Sequence, residues 1–552
     1  MPPNVKKHTS KRQLEKVKGR WPETVAKLTV VSASVVGSPY AGEDVLMPRH
    51  SADLRALQRA AKQGRVTRIA KGLYINAVDD PTVMTEGPGS VAMMVQRHWQ
   101  SIAGYLYPGA VVSHRSALEG GLIRDPQNNC ELILTVQRVS ARVRRLPGLS
   151  LVLLPGPGPL PGDFALGAKG LYWSSRARML LENMTRLAKG RRSTGPTGVE
   201  EKLIEILNAA GEDGLNRLRD DARALAPVLS TALLSTPDGA PDPRFEVFNQ
   251  LISTLLGTFA KGQLTTRRGV LLAKGTPADG ERLDRFDLLA QHLRAAILPD
   301  YQSRLVTAVT RTHAAFLESY FSNYVEGTRF SIEQAEEIAL RNRIVHSRPK
   351  DSHDILGVFK LVLHPHFGAT VPAAADILQG LTQRHHLMLE CRPEVHHGEF
   401  KQETNYAGQT RFVEPKFVRG TLLEGAKIAY SIPEGLARAI FYAFLVSEVH
   451  PFSDGNGRLS RLLMNAELSR VGQMRIIIPT LFHEQYVDAQ RALSRQNDAQ
   501  PLVRALQRMA QWASLFDYQN LDHTKSLMNA CHAFKENPAQ FKLLAPDGTV
   551  FA

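Results

Sequence analysis

The sequence predicts a multidomain, mainly α protein. An N-terminal α/β winged-helix module and an α+β domain precede a C-terminal all-α domain that carries one β-hairpin. Three observations predict this. The chain has 552 residues, several times the roughly 150 that one core organises. Strand-prone runs such as CELILTV and LSLVLLP fall before residue 190, and β-branched and leucine-rich runs of that length suit strands. Beyond residue 245 apolar residues recur mainly at helical spacing to about residue 520.

Taken in order, residues 1–20 (MPPNVKKHTSKRQLEKVKGR) are basic and polar. They read as a disordered tail and lack the apolar stretch of a secretory signal. Residues 21–80 show short helical patterns and end in GRVTRIAKGLYIN, where Gly64 and Gly72 bracket a β-prone run that reads as a hairpin. A basic helix joined to a basic hairpin has the shape of a winged helix-turn-helix. Arg55, Arg59, Lys62, Arg65, Arg68 and Lys71 would then meet DNA phosphates. Residues 1–75 hold fifteen Lys/Arg against five Asp/Glu, most of the net charge of +15, and such a block favours a polyanion. Residues 81–190 mix strands with a helix around SSRARMLLENM. KGRRSTGPTG, near 190–198, and STPDGAPDPRF, 235–245, read as breaks within a linker and helical connector over 191–300. The last domain spans 301–530. No apolar run reaches the roughly 18 residues of a membrane span. Cys130, Cys391 and Cys531 are odd in number and far apart, which points to a reducing cytoplasm.

Residues 450–461, HPFSDGNGRLSR, carry the chemistry. The preceding PEGLARAIFYAFLVSEV (433–449) predicts a helix with Pro433 at its first position. Pro451 and the DGNG tetrapeptide stop it, and Arg458 opens a second helix. Gly455 and Gly457 allow backbone N–H groups to approach a phosphate, and the next helix adds its positive N-terminus. Arg458 and Arg461, at i and i+3, share one face and reach phosphate oxygens. Asp454, an acid in a cationic nest, fits a Mg²⁺ that bridges phosphates. His450 has the side chain to accept a proton near neutral pH. These parts compose a phosphoryl- or nucleotidyl-transfer site.

The stretch matches the Fic motif, HxFx(D/E)GNGRxxR, at every defined position, and the C-terminal region, roughly 320–515, resembles that family. The resemblance implies an all-helical domain that moves AMP from ATP to a Ser, Thr or Tyr hydroxyl of a target protein. By position it implies His450 as general base, Asp454 as Mg²⁺ ligand, and Gly455, Asn456 and Gly457 as an anion hole. Arg458 would bind phosphates and Arg461 would clamp the γ-phosphate. Transfer of UMP, phosphocholine or phosphate, known for some relatives, stays open.

SNYVEG, 322–327, is similar to the family's inhibitory motif, (S/T)xxxE(G/N), with Ser322, Glu326 and Gly327 in register. That resemblance implies that Glu326 pairs with Arg461 in place of the γ-phosphate; in some relatives the same glutamate supports AMP removal. GEFKQETNYAGQTRFVEPKFVRG, 398–420, resembles the family's flap hairpin. Thr410, Arg411, Phe412 and Val413 are the expected target-docking edge.

Two constellations compete. His385, His386, Cys391, His396 and His397 suggest zinc, but their spacing fits no finger and adjacent histidines rarely share a metal. Ser113, His114 and Ser116 suggest a hydrolase, but no acid partner or oxyanion signature accompanies them. Residues 25–190 resemble, through GRVTRIAKGLYI, PGAVVSHRSALEGGL and SSRARMLLEN, the AbiE-type antitoxin and transcriptional-regulator family. This implies DNA binding in a toxin–antitoxin or phage-defence setting. The expected substrates and partners are Mg·ATP, a target protein and DNA, with no membrane, and a homo-oligomer is left open. An alternative is a DNA-binding regulator whose Fic domain only senses ATP or modifies itself.

Overall fold

In the computed structural model the described residues are 44–48, 50–76, 90–125, 129–137, 139–166, 170–185, 192–234 (side chains to 229), 242–258 and 264–551. The chain is mainly helical and divides into two compact units. One comprises Met1–Glu182, Leu187–Ser193 and Val228–Pro237; the other comprises Asn183–Arg186, Thr194–Pro227 and Asp238–Ala552. No helix among the described residues is long and apolar enough to cross a membrane.

The first unit opens with β1 (Val45–Leu46), α1 (Ser51–Lys62), β2 (Thr67–Ala70) and β3 (Leu73–Ile75). Asp53 in the first turn of α1 and Arg59 and Lys62 in the last complement the helix dipole. Leu57 and Ala60 turn inward onto Leu46, Val66 and Tyr74. The strands form a sheet in the order β1-β3-β2. The expected two-stranded hairpin is β2 and β3, and it turns at Gly72, whose φ of 70° a side chain resists. The expected tail, and residues 21–43 and 77–80 of the expected winged module, lie outside the described residues.

Helices α2 (Val91–Arg97), α3 (Trp99–Leu106) and α4 (His114–Leu118) accompany a seven-stranded mixed sheet, followed by α5 (Arg176–Asn183). Its strands are β4 (Val111–Val112), β5 (Ile123–Arg124), β6 (Cys130–Val136), β7 (Arg142–Leu146), β8 (Leu149–Pro155), β9 (Phe164–Leu166) and β10 (Leu171–Trp173). The order is β7-β8-β6-β4-β10-β9, with β5 also on β6. Strands β6 and β8 run parallel, Leu132 facing Leu151 and Leu134 facing Leu153. All four leucines are fully buried, which explains continuous apolar runs where one-sided strands would alternate. Ser113 and Ser116 are structural: Thr135 Oγ1 donates to Ser113 Oγ (2.8 Å), and Ser116 Oγ accepts the Ile133 N–H (2.9 Å). The missing acid partner is corrected here, because the fold brings Glu182 to 3.9 Å from His114 Nδ1. That carboxylate is already held by Arg178, whose guanidinium also reaches Asp163 at 2.6 Å.

The second unit is helical. Helix α6 (Gly195–Leu234) breaks at Gly211, at φ 68° and ψ −171°, and α7 (Pro243–Leu255), α8 (Arg267–Ala273) and α9 (Gly280–Ala295) follow. Next come α10 (Ala308–Val325), α11 (Ile332–Arg341), α12 (Pro349–Leu363) and α13 (Ile377–Met388). The hairpin β11 (Tyr406–Ala407) and β12 (Thr410–Arg411) precedes α14 (Pro415–Ala429), α15 (Leu436–Val449) and α16 (Asn456–Arg470). Helices α17 (His483–Gln496), α18 (Gln500–Ser514) and α19 (Leu521–Ala530) end the order. Helix α15 is apolar nearly all round and packs on α9, α14, α16 and α18, as a central helix must. Phe286 of α9 meets Phe441 and Phe444 edge-on, with centroids 5.9 and 6.1 Å apart. Pro433 does not open α15. Gly435 adopts φ 84° and redirects the chain, so the helix begins at Leu436.

Candidate nucleotide-transfer site

Helix α15 delivers His450 as its C-cap, in the left-handed region at φ 52°. The imidazole Nδ1 lies 3.1 Å from the Ser447 carbonyl. A carbonyl only accepts, so Nδ1 carries the proton and Nε2 keeps its lone pair. Burial, aided by the nearby Lys401 ammonium, pulls the His450 pKa down to about 4 against Glu326, Asp454 and the Ser447 bond. The ring is therefore neutral at pH 7, the form that accepts a proton.

The loop after His450 is pinned from both ends. Phe452 is fully buried between His385 (centroids 3.8 Å, planes 6° apart) and Phe400. Asn456 accepts the Phe452 N–H at 2.9 Å and donates to its carbonyl at 2.8 Å. That engages the Asn456 amide oxygen and one of its amide hydrogens with the Phe452 backbone, which fixes the side chain against the loop. Gly455 caps α16 at φ 76°, and α16 begins at Asn456, two residues before Arg458. The first helical bond runs from Leu459 N–H to Gly455, which leaves the N–H groups of Asn456, Gly457 and Arg458 for a ligand.

The guanidiniums are held by carboxylates. Arg458 Nη1 lies 2.6 Å from Asp354 Oδ2, and Arg392 Nη1 lies 2.8 Å from the same oxygen. Asp454 Oδ2 stands 3.4 Å from Arg458 and 3.5 Å from Arg392, and its Oδ1 accepts the Gly455 N–H at 2.6 Å. Half-exposed beside the free N–H groups, this lone carboxylate fits Mg²⁺, which takes one or two protein carboxylates and completes its shell with phosphates and water.

The structure brings Ser322, Glu326 and Arg461 together. Arg461 Nε donates to Ser322 Oγ (3.0 Å), and Nη2 donates to the Ser322 carbonyl (2.8 Å) and to Glu326 Oε1 (2.8 Å). Glu326 caps α10, and Gly327 turns the chain at φ 89°. The Glu326 carboxylate also fills the cradle: a Cβ built on Gly457 would lie 2.1 Å from its Oε1.

The hairpin covers His450. Phe412 stacks flat on His450, with centroids 3.8 Å and planes 9° apart. Thr410 Oγ1 receives Arg495 Nη2 (2.7 Å), and the Arg411 carbonyl receives Arg282 Nη2 (2.6 Å). Strand β12 ends at Arg411, so the expected edge is shorter than Thr410–Val413. Val413 is fully buried in the helical core and offers nothing to a partner.

Asp354, Arg392 and Lys401 escaped sequence reasoning. Only Asp354 left a signal, an acid on the apolar stripe of α12 with Val358 and Leu361. His385 does not look outward to a metal. Its Nε2 donates to the Asp454 carbonyl (3.0 Å) and its Nδ1 accepts the Gly398 N–H (2.8 Å). His386 and His397 meet each other through Nδ1 atoms 2.9 Å apart.

Residues 376–468 match the Fic/DOC family. The C-terminal region contains a Fic domain. The chain is similar to the protein adenylyltransferase Fic of Drosophila sechellia, 27% identical over 236 residues, covering 41% of this chain and 46% of that protein. The same protein of Drosophila erecta is 26% identical over 235 residues, with coverage of 41% and 46%. The chain thus spans about half the length of the curated relatives it matches. Among solved structures, Fic-1 of C. elegans aligns over 60% of this chain and 97% of that one, at 16% identity and a TM-score of 0.32. Residues 450–461 lie inside the Fic match; Ser322, Glu326 and Gly327 lie upstream of it.

In the first unit, all six predicted DNA-contacting side chains are exposed. Arg55, Arg59, Lys62 and Arg68 gather around a cavity of about 880 Å³ that Tyr74 also lines. The Tyr74 hydroxyl is buried without a hydrogen-bond partner. Arg65 and Lys71 stand apart from this cavity.

Proposed function

We propose that the protein is a self-inhibited adenylyltransferase that moves AMP from Mg·ATP to a Ser, Thr or Tyr hydroxyl of a target protein. One observation carries the reading: the Glu326 carboxylate sits on Gly457 and Arg461, as an anion in a site shaped for phosphate. In the reaction His450 Nε2 takes the proton of the target hydroxyl. The oxygen attacks the α-phosphorus, and the bond to the β-phosphate oxygen breaks, releasing pyrophosphate. The free N–H groups of α16 and the two motif arginines take the charge that develops. Asp454 would hold the Mg²⁺, which supplies charge neutralisation along the phosphates. Glu326 opposes ATP until it leaves Arg461. The three unpaired cysteines agree with a reducing cytoplasm.

A labelled-ATP incubation with lysate tests this. Glu326→Gly should raise transfer of label to protein over wild type, and His450→Ala should abolish it. Absence of label in all three sinks the reading.

A second reading adds DNA binding by the first unit as a regulatory function, in a toxin–antitoxin or phage-defence setting. The four cations around the Tyr74 cavity favour it. Duplex binding should weaken steeply with salt, and substituting Arg55 and Arg59 by alanine should reduce the salt slope.

A further inference from the structure

Lys401 is a lysine that the proposed chemistry does not use. It is only 4% exposed, and no carboxylate among the described residues pairs with it. A buried ammonium without a counter-ion is costly, so its placement calls for a cause. Its backbone N–H donates to the Pro451 carbonyl at 2.9 Å. Its Nζ donates to the Val449 carbonyl at 3.4 Å and to Asn405 Oδ1 at 2.6 Å. Asn405 in turn donates to the Phe452 carbonyl at 2.9 Å and accepts the Phe412 N–H at 3.2 Å. The carbonyls on both sides of His450 are therefore held by one residue, and Phe412, which covers the imidazole, hangs from the same hub.

We propose that Lys401 is a positioning residue that fixes His450 in its left-handed conformation and joins the flap to it. His450 is not glycine, and φ 52° is a left-handed conformation that costs an L side chain energy and that neighbouring contacts can secure. The proposal rests on reading His450 as the base. Lys401 also acts through its charge. Burial and the Arg282 guanidinium bring its pKa down to about 7, so it is cationic throughout the acid range. The charged groups around the pair are Arg282 on Lys401, and Glu326 and Asp454 on His450. Glu448 lies 3.1 Å from Arg282 and 2.5 Å from Arg285, so it neutralises those arginines and not Lys401. A cation disfavours imidazolium, so loss of Lys401 raises the His450 pKa.

The test uses the full chain with Glu326→Gly, comparing Lys401, Lys401→Met and Lys401→Arg. Self-labelling with labelled ATP is followed from pH 5 to 9, binding of a fluorescent ATP analogue is measured, and the His450 ring is titrated by ¹³C NMR, assigned with His450→Ala. Lys401→Met should lower labelling about tenfold or more, the loss expected when a base is misplaced. It should leave analogue binding within about twofold and raise the His450 pKa by about half a unit or more. Lys401→Arg should restore most of the rate. Equal labelling by Lys401→Met, a fixed His450 pKa, or no rescue by arginine overturns the proposal. If the parent labels nothing, the transferase reading fails, while the ring titration still decides the role of Lys401.

Discussion

Replacing Glu326 by glutamine tests whether the carboxylate competes with ATP. The Arg461–Glu326 bond is 2.8 Å long and its arginine is 6% exposed. Hydrogen bonds to charged groups contribute about 1.5–3 kcal/mol. Glu326 is 27% exposed, so solvent screening places the pair in the lower half of that range. Under the proposed function, ATP would have to break this bond before Arg461 meets its phosphate. Each 1.4 kcal/mol or so is tenfold in affinity, so Glu326→Gln should tighten Mg·ATP binding about tenfold. Glu326→Gly should tighten it further, because it also empties the cradle over Gly457. Titration calorimetry with Mg·ATP reads both changes, and thermal unfolding without nucleotide reads the other side. There the variants should be less stable than wild type, since a buried guanidinium loses its counter-ion. Tighter nucleotide binding in a less stable apoprotein is the signature of an internal ligand. Affinities within twofold of wild type for both variants would falsify the competition.

Three further outcomes follow from neighbouring contacts. Gly457→Ala places a methyl 2.1 Å from the Glu326 oxygen; with Glu326→Gly beside it, the methyl still fills the cradle, and calorimetry should show Mg·ATP affinity about tenfold or more below that of Glu326→Gly alone. Glu318→Gln removes the partner of Arg475, joined to it by bonds of 2.5 and 2.8 Å with both residues buried; urea unfolding should show a loss of about 3–5 kcal/mol, and a loss under about 1 kcal/mol would contradict that burial. His450 and His385 are both pulled down to about 4 by burial. The unfolded chain takes those protons near pH 6.5, so stability is full above that pH and falls as pH drops towards 4. His450→Ala should flatten this decline in a melting-temperature series, and an unchanged slope would count against the shift.

What the sequence makes legible follows from contiguity. His450 to Arg461 lie within twelve residues, so backbone geometry alone brings imidazole, glycines and guanidiniums together. Strands β6 and β8 are readable because burial on both faces writes an unbroken apolar run. The start of α15 is misread because Pro433 suits a helix start, while the deciding feature is the φ of Gly435. Val413 looks like part of a strand edge, yet it is buried in the core just before Pro415 opens α14. Asp354, Arg392 and Lys401 are separated from the start of the motif by 49 to 96 positions, and no local pattern announces a partner at that distance. The same separation hides the cover over His450, since a phenylalanine in a hairpin looks the same whether it faces solvent or an imidazole.

The arrangement of carboxylates decides which contact a nucleotide displaces. Arg392 and Arg458 share Asp354 and reach towards Asp454, while Arg461 takes Glu326. Under the proposed function, ATP would bring negative charge to a place where Arg392, Arg458 and Arg461 each already face a carboxylate, so one carboxylate would have to yield. Asp354 is 4% exposed and fixed in mid-helix on α12, where withdrawal would leave two arginines unpaired. Asp454 has reason to stay, since a cation on the phosphates favours it. Glu326 sits at the C-terminal end of α10, partly exposed and followed by a glycine at φ 89°, and no cation on the phosphates would favour its staying. Moving it costs one ion pair and the last turn of α10, which is the least costly exchange the site offers. Under the proposed inhibition, the brake would be set by how firmly the end of α10 is held. Tyr324, two residues before Glu326, bonds Glu536, and Arg329 bonds the same carboxylate at 2.6 Å. Loosening that attachment should release Glu326 without any change at the motif itself.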